Sequence, residues 1–150
     1  MIRRLFKTDE RLSATILRIL LGVVILPHGA QKLLGWFGGG GFSASMSWFE
    51  SSLHIPAIFA LLAILAESVG AVALIAGFFT RVAALAISVN MVVAVALVHV
   101  KNGFFMNWTG TGKGEGFEYH ILAVAIGLAL MTMGGGRWSV DGVIAKRLKR

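Results

Sequence analysis

The sequence predicts an all-α, polytopic membrane protein, in which a single membrane domain over residues 1–150 forms an antiparallel bundle of four transmembrane helices. Composition is the first reason: 57% of the residues are hydrophobic and only 14% are charged, with a mean hydropathy of +0.81. Since a soluble domain has about a quarter of its residues charged, most of this surface must face lipid. The second reason is length, because four apolar segments are long enough, or nearly so, to cross about 30 Å of hydrocarbon. These segments lie at about 12–35, 56–79, 81–100 and 119–135.

The distribution of positive charge is the third reason, and it also predicts the orientation. Ten of the 14 Lys and Arg residues lie in the N-terminal flank, at Arg81, or in the C-terminal flank, whereas the connections 36–55 and 101–118 carry only Lys101 and Lys113. Because Lys and Arg concentrate in cytoplasmic segments, both termini are expected on the cytoplasmic side of a bacterial inner membrane. Basic clusters that flank apolar spans are not typical of nucleic-acid binding, which needs a basic stripe on a folded face.

The connections carry their own patterns. Thr80 and Arg81 lie at the junction of the second and third segments, which predicts a tight hairpin there. Apolar residues recur at helical spacing over 42–53, which predicts a short helix lying in the membrane interface within the first outer loop. Apolar and basic residues alternate over 139–150, a pattern typical of an amphipathic tail on anionic lipid.

Ionisable residues inside the predicted spans are the main functional signal. Such a residue costs at least about 2.5–3.5 kcal/mol at the bilayer centre, so it normally has a partner or a function. There are five: Arg18, His28, Lys32, Glu67 and His99. At about 100° per residue, the first three share one arc of the first span with Gly22 and Gly29. Glu67 shares a face with small residues that permit close helix approach, so we expect it at a helix interface within reach of Arg18 or His28.

Other polar residues lie on the third and fourth spans. Asn90 and His99 are nine residues apart, which places them on opposite faces of an ideal helix. Asn90 is therefore predicted in a packing contact and His99 at the outer mouth of the bundle. The predicted topology places His99, His120 and Glu118 together at that outer side. Interfacial anchoring of these residues is the alternative to a site.

Short motifs along nearly the whole chain resemble the DoxX family of small bacterial membrane proteins. They are the runs 17–22, 28–32, 66–70, 79–81, 116–119 and 136–141. The resemblance implies a four-helix membrane bundle and a link to membrane redox chemistry, since relatives are described as quinone-reducing subunits or as partners of oxidoreductases. The family's recurrent polar positions correspond to Arg18, Lys32, Glu67, Arg81 and Glu118. Some relatives are associated with thiol chemistry, which this chain cannot perform itself because it has no cysteine.

The leading functional hypothesis is a redox-associated membrane subunit that binds a quinone, or a similar small apolar ligand, among the helices near the outer face. Donors for the carbonyl oxygens and groups that pass protons are available among His28, Lys32, Glu67, His99, Glu118 and His120. Aromatic rings that could stack on such a ligand are Trp36, Phe104 and Phe105. No motif for an electron carrier is present, so catalysis would depend on a partner oxidoreductase, and whether the chain is an enzyme stays open.

The sequence leaves three other functions open. In the first, the chain is a non-catalytic scaffold or anchor for an oxidoreductase, and the buried charges only fix helix packing. That is also the role expected for Arg18, Arg81 and Asn90. In the second it is a small transporter, which would require a homo-oligomer. In the third, histidines at the outer mouth bind copper or zinc, although their irregular spacing assigns no metal ligand.

Overall fold

The computed structural model describes residues 5–112 and 114–148, and within these ranges every regular element is helical. Three helices are long and apolar enough to cross a membrane, with 23, 20 and 23 residues, and a fourth apolar helix has 16 residues. This confirms the all-helical class and is consistent with a membrane protein. The N-terminal residues 1–4, Lys113 and the last two residues of the predicted basic tail lie outside the described part.

The helices follow the predicted segments closely. In chain order they are α1 (Leu12–Leu34), α2 (Gly41–Leu53), α3 (Ala57–Glu67), α4 (Val69–Ala76), α5 (Thr80–Ala94), α6 (Glu118–Met133) and α7 (Val140–Arg147). Helices α3 and α4 form one span with an interruption at Ser68, whose hydroxyl donates to the carbonyl oxygen of Ile64 at 2.6 Å. Beyond α5 the chain continues as a π-helical turn, Val95–His99, and a 3₁₀ turn, Val100–Asn102.

The hairpin between α4 and α5 lies slightly before its predicted place. Thr80 and Arg81 were expected to form the turn, but both are helical, and the turn is formed by residues 77–79. Gly77 ends α4 with a φ of 69°, in the left-handed region where glycine is favoured. The carboxylate of Asp141 accepts hydrogen bonds from the backbone N–H groups of Phe79, at 2.8 Å, and Thr80, at 2.9 Å. These bonds cap the free N-terminus of α5 and explain why it begins at Thr80.

The helices pack closely, with α1 against α4 and α5 against α6. The larger of two buried apolar clusters is formed by α1, α4, α5 and α6, and its large side chains include Leu21, Ile25, Leu74, Ile87 and Leu130. A short helix, α2, is present where the sequence predicted one, and it packs against α3 through Phe49, Ala60 and Ile64. Valine and leucine side chains on the outer faces of the long helices are exposed, as expected of helices whose outer faces contact lipid.

Two glycines on α1 permit its close contact with α3 and α4. A Cβ atom on Gly29 would lie 2.3 Å from the carbonyl oxygen of Glu67, and one on Gly22 would lie 2.8 Å from that of Ala71. No real Cβ atom is found that close to backbone, so only glycine fits at these crossings. The contact at Gly29 places the polar arc of α1 beside Glu67.

Candidate polar site at the α1, α3 and α5 contact

Glu67 is the centre of a polar cluster between three helices. It is the last residue of α3 and only 5% exposed. One carboxylate oxygen lies 2.5 Å from the Lys32 ammonium of α1, and the other accepts a hydrogen bond of 2.8 Å from the side-chain amide of Asn90 in α5. The structure therefore satisfies both oxygens of a carboxylate that would be very unfavourable in an apolar environment without partners.

Asn90 was predicted in a packing contact, and in the structure its side-chain amide donates directly to the carboxylate of Glu67. The prediction assumed an ideal helix and found no reason to connect Asn90 with the other polar residues. The segment Val95–His99 is π-helical and has more residues per turn than an α-helix. Asn90 and His99 therefore need not lie on opposite faces of the helix.

Arg18 does not pair with Glu67, although the sequence left that pairing open. It is 2% exposed and donates to the carbonyl oxygens of Gly135, at 2.7 Å, Leu74, at 2.9 Å, and Trp138, at 3.0 Å, with further bonds to Ile75 and Arg137. The reason is local, because carbonyl groups in the last turn of a helix lack the N–H donors of a following turn. Of the two α4 carbonyl groups that Arg18 binds, only that of Leu74 also accepts from the cap residue Gly77, at 3.0 Å. Arg18 satisfies them and joins α1, α4 and the segment before α7.

Arg81 has a comparable role at the end of α6. Its guanidinium donates to the carbonyl oxygens of Thr132 and Lys7, each at 2.9 Å, and also to that of Met131. These bonds satisfy the C-terminal carbonyl groups of α6 and fasten the segment that precedes α1. Both arginines thus bind backbone carbonyl groups.

A row of rings extends from the cluster toward the mouth of the bundle. His28 lies beside Tyr119, with ring centroids 6.4 Å apart, and interacts electrostatically with both Glu67 and Lys32. Tyr119 lies 5.5 Å from the ring of His120, which in turn lies 4.2 Å from that of His99. Within the described residues, the Tyr119 hydroxyl and His120 Nδ1 are buried without a hydrogen-bond partner. Sequence reasoning missed Tyr119, although it ends the motif 116–119.

Glu118 does not join the histidines. Its carboxylate accepts a hydrogen bond of 2.9 Å from the backbone N–H of Met106, so it holds the connection between α5 and α6. His99 instead contacts the backbone carbonyl oxygen of Glu115, 2.8 Å from its Nδ1. Among the residues that the structure describes, no group of three histidine or acidic side chains is arranged to hold a metal ion.

The predicted stacking rings lie at the surface. Trp36 and Phe105 are 60% and 75% exposed, and their ring contacts are with Phe37 and Phe104 respectively. Lys32 instead lines an open groove of about 350 Å³ between the end of α1 and α2. Other residues that line this groove are Gln31, Gly39, Gly40, Ala44, Ser45, Trp48 and Phe49. Lys32 therefore connects the buried Glu67 to an open groove whose aromatic wall comes from α2.

Comparison with known proteins identifies the family. The DoxX family model matches residues 13–100, which include Lys32, Glu67 and Asn90. The chain belongs to the DoxX family. It is 31% identical over 152 residues to an uncharacterized membrane protein of Mycobacterium tuberculosis, covering 96% of this chain and 88% of that relative. It is 26% identical over 119 residues to a Bacillus subtilis protein named "Putative oxidoreductase CatD", covering 79% and 78% of the two chains.

No solved structure matches this DoxX chain. The family match ends at residue 100 and therefore covers the Lys32–Glu67–Asn90 cluster but neither Tyr119 nor His120. The fold brings these later residues to the same part of the bundle.

Proposed function

We propose that this DoxX protein is a membrane subunit of a redox system that binds a quinone, or a similar small apolar ligand, in the groove beside Lys32. The observation that carries the proposal is the Lys32 side chain itself, which lines the groove and also contacts the buried carboxylate of Glu67. A ligand carbonyl could accept a hydrogen bond from the ammonium while its ring lies against Trp48 or Phe49. The name of the Bacillus subtilis relative, "Putative oxidoreductase CatD", supports the redox association.

The proposed setting is a single domain of four spans in a bacterial inner membrane, with both termini cytoplasmic. The 16 residues of α6 extend about 24 Å, slightly less than the average hydrocarbon layer, and local thinning of the bilayer accommodates such a difference. Arg81, Arg137 and Lys146 lie at the end of the bundle proposed to face the cytoplasm, consistent with the charge rule. The groove beside Lys32 then lies toward the outer face.

Titration of the purified protein with a quinol analogue tests the ligand. We expect saturable binding that Lys32→Ala and Glu67→Gln each weaken about tenfold, because a charged hydrogen bond contributes that much. Lys101→Ala is the matched control, since Lys101 is an exposed lysine outside the groove. A second matched pair compares Trp48→Ala with Trp108→Ala, which removes a Trp that is 85% exposed. Absence of saturable binding, or equal effects of variants and controls, would reject the proposal.

The second candidate function is a scaffold for a partner oxidoreductase, and the exposed aromatic residues of the connection between α5 and α6 favour it. Phe105 and Trp108 are 75% and 85% exposed, and exposed apolar surface of this kind is a candidate contact surface for a partner protein. A stoichiometric partner, recovered from native membranes and lost with Trp108→Ala but not with Lys32→Ala, would select the scaffold. This experiment also reports on homo-oligomers, because the molecular mass of the recovered complex can be measured.

A further inference from the structure

A second groove lies at the opposite end of the bundle from Lys32. Its volume is about 400 Å³, and it lies between the segment that precedes α1 and the first turns of α7. Glu10 lies on one side of this groove, and Arg137, Trp138, Val143 and Lys146 lie on the other. No step of the proposed function uses it.

Two cations line the groove and have donor capacity left. Arg137 is exposed and donates from Nε to the backbone carbonyl oxygen of Glu10 at 3.0 Å, which uses one of the five N–H donors of its guanidinium. Lys146 lies 2.7 Å from the carboxylate of Glu10, with side chains that are 73% and 62% exposed. Because exposed ion pairs contribute little to stability, Lys146 can exchange this contact for another anion.

The part of the groove beside these cations is apolar, and its side chains are exposed. Trp138 is 81% exposed although its φ of 52° is in the left-handed region, which is unusual for a tryptophan. Its carbonyl oxygen is fixed by the guanidinium of Arg18, so the backbone is anchored while the indole ring faces outward. Val143, near the start of α7, is 54% exposed. Indole rings in this setting are typical of the headgroup region of a membrane.

We infer that this groove binds the headgroup phosphate of an anionic phospholipid. Arg137 and Lys146 contact the phosphate oxygens, for which guanidinium groups have matching geometry. The indole of Trp138 and the side chain of Val143 contact the glycerol and the first acyl carbons. Free phosphate shares the charged contacts but would leave this apolar wall unused, which is why a lipid is the favoured occupant. The inference is independent of the ligand proposed beside Lys32.

Mass spectrometry of the intact protein in detergent tests the site, with phosphatidylglycerol and phosphatidylcholine added in equal amounts. We expect preferential retention of phosphatidylglycerol, which Arg137→Gln weakens about tenfold because a charged bond to phosphate is lost. Lys101→Gln, at the other end of the bundle, is the matched control and should retain the lipid. Arg137→Lys provides a milder variant in case Arg137→Gln does not fold, and should weaken retention less.

Trp138→Ala separates a lipid from free phosphate. For a lipid, this variant lowers retention of phosphatidylglycerol, whereas Trp108→Ala does not. Equal retention of the two lipids, or loss in Lys101→Gln to the same extent as in Arg137→Gln, would overturn the inference. Displacement of phosphatidylglycerol by millimolar inorganic phosphate, with no effect of Trp138→Ala, would identify a phosphate site and also overturn it.

Discussion

At the scale of single residues, the ion pair between Lys32 and Glu67 sets the character of the site. The Glu67 side chain is 7% exposed and that of Lys32 27%, so the carboxylate depends on its partners for compensation while the ammonium also reaches the groove. A buried pair contributes little net stability, but loss of one partner leaves an uncompensated charge. Lys32 can therefore hold α1 and α3 together and also present a hydrogen-bond donor to a ligand.

Removal of Lys32 should destabilise the protein more than removal of the whole pair. We expect Lys32→Met to lower the free energy of unfolding by about 3 kcal/mol, because it leaves the Glu67 carboxylate without its cation. In Lys32→Met combined with Glu67→Gln, most of this loss should be recovered, since glutamine still accepts from Asn90. Unfolding in detergent, analysed as a double-mutant cycle, measures the coupling. Additive losses would show that the two side chains do not act as a pair.

Tyr119 offers a simpler test of a buried polar atom. Its hydroxyl is buried without a partner among the described residues, and an unsatisfied polar group costs about 1–3 kcal/mol. Tyr119→Phe should therefore raise the free energy of unfolding by about 1 kcal/mol, measured in the same assay. A loss of stability would instead mean that the hydroxyl has a partner, such as a buried water molecule.

At the scale of helices, the position of Glu67 depends on how closely α1 approaches α3. Gly29 is the contact point, since a Cβ there would lie 2.3 Å from the carbonyl oxygen of Glu67. The interruption of the span at Ser68 lies next to the same contact. A small change in helix spacing there would therefore move Lys32 away from its partner.

Gly29→Ala should be strongly destabilising, by about 3 kcal/mol, because backbone must move to accept the methyl group. Gly70→Ala is the matched control, since its nearest non-neighbouring atom would be an ordinary 3.8 Å away, and alanine is the better helix former. Thermal unfolding compares the two variants. Equal melting temperatures would contradict the close contact described for Gly29.

At the scale of the whole molecule, the two ends of the bundle differ in chemistry. Basic residues and backbone-binding arginines concentrate at the end near α7, whereas histidines and the groove beside Lys32 lie toward the other. By the positive-inside rule, this asymmetry predicts that the end near α7 faces the cytoplasm. The absence of cysteine from the sequence makes that orientation straightforward to test.

Single cysteines introduced at Thr111 and at Lys146 should report opposite sides of the membrane. In spheroplasts, a maleimide that cannot cross membranes should label Thr111→Cys, whereas Lys146→Cys should react only after lysis. The readout is the mass increase of the protein, and the cysteine-free chain is the control. Labelling of Lys146→Cys before lysis would reverse the proposed orientation.

Much of the fold could be predicted because its signals are local. The bounds of α1, α2 and α6 follow from apolar runs and helical spacing, and each was predicted within two residues. The turn between α4 and α5 was displaced, because the cap on α5 comes from Asp141, about sixty positions further along the chain. A contact at that separation leaves no pattern near the turn.

The candidate site was predictable only in part. Lys32 and Glu67 were recognisable because charge is costly in a membrane, whereas Asn90 and Trp48 are neutral and gave no comparable signal. The partners of Arg18 could not be predicted, because they are backbone carbonyl groups. Every residue has such a group, so the sequence does not indicate which ones Arg18 binds. Glu118 was expected beside the histidines, but its preferred partner proved to be a backbone N–H in the preceding connection.

The sequence alone determined that this protein is helical, lies in a membrane and carries charged residues within its spans. It could do so because composition and hydrophobic periodicity indicate whether a residue faces lipid, water or protein. The tertiary structure decided which charges meet. Lys32 reaches Glu67, while Arg18 binds the end of α4 instead. The physical reason is that pairing depends on helix rotation, spacing and ends, which are set by glycine contacts and caps between segments distant along the chain.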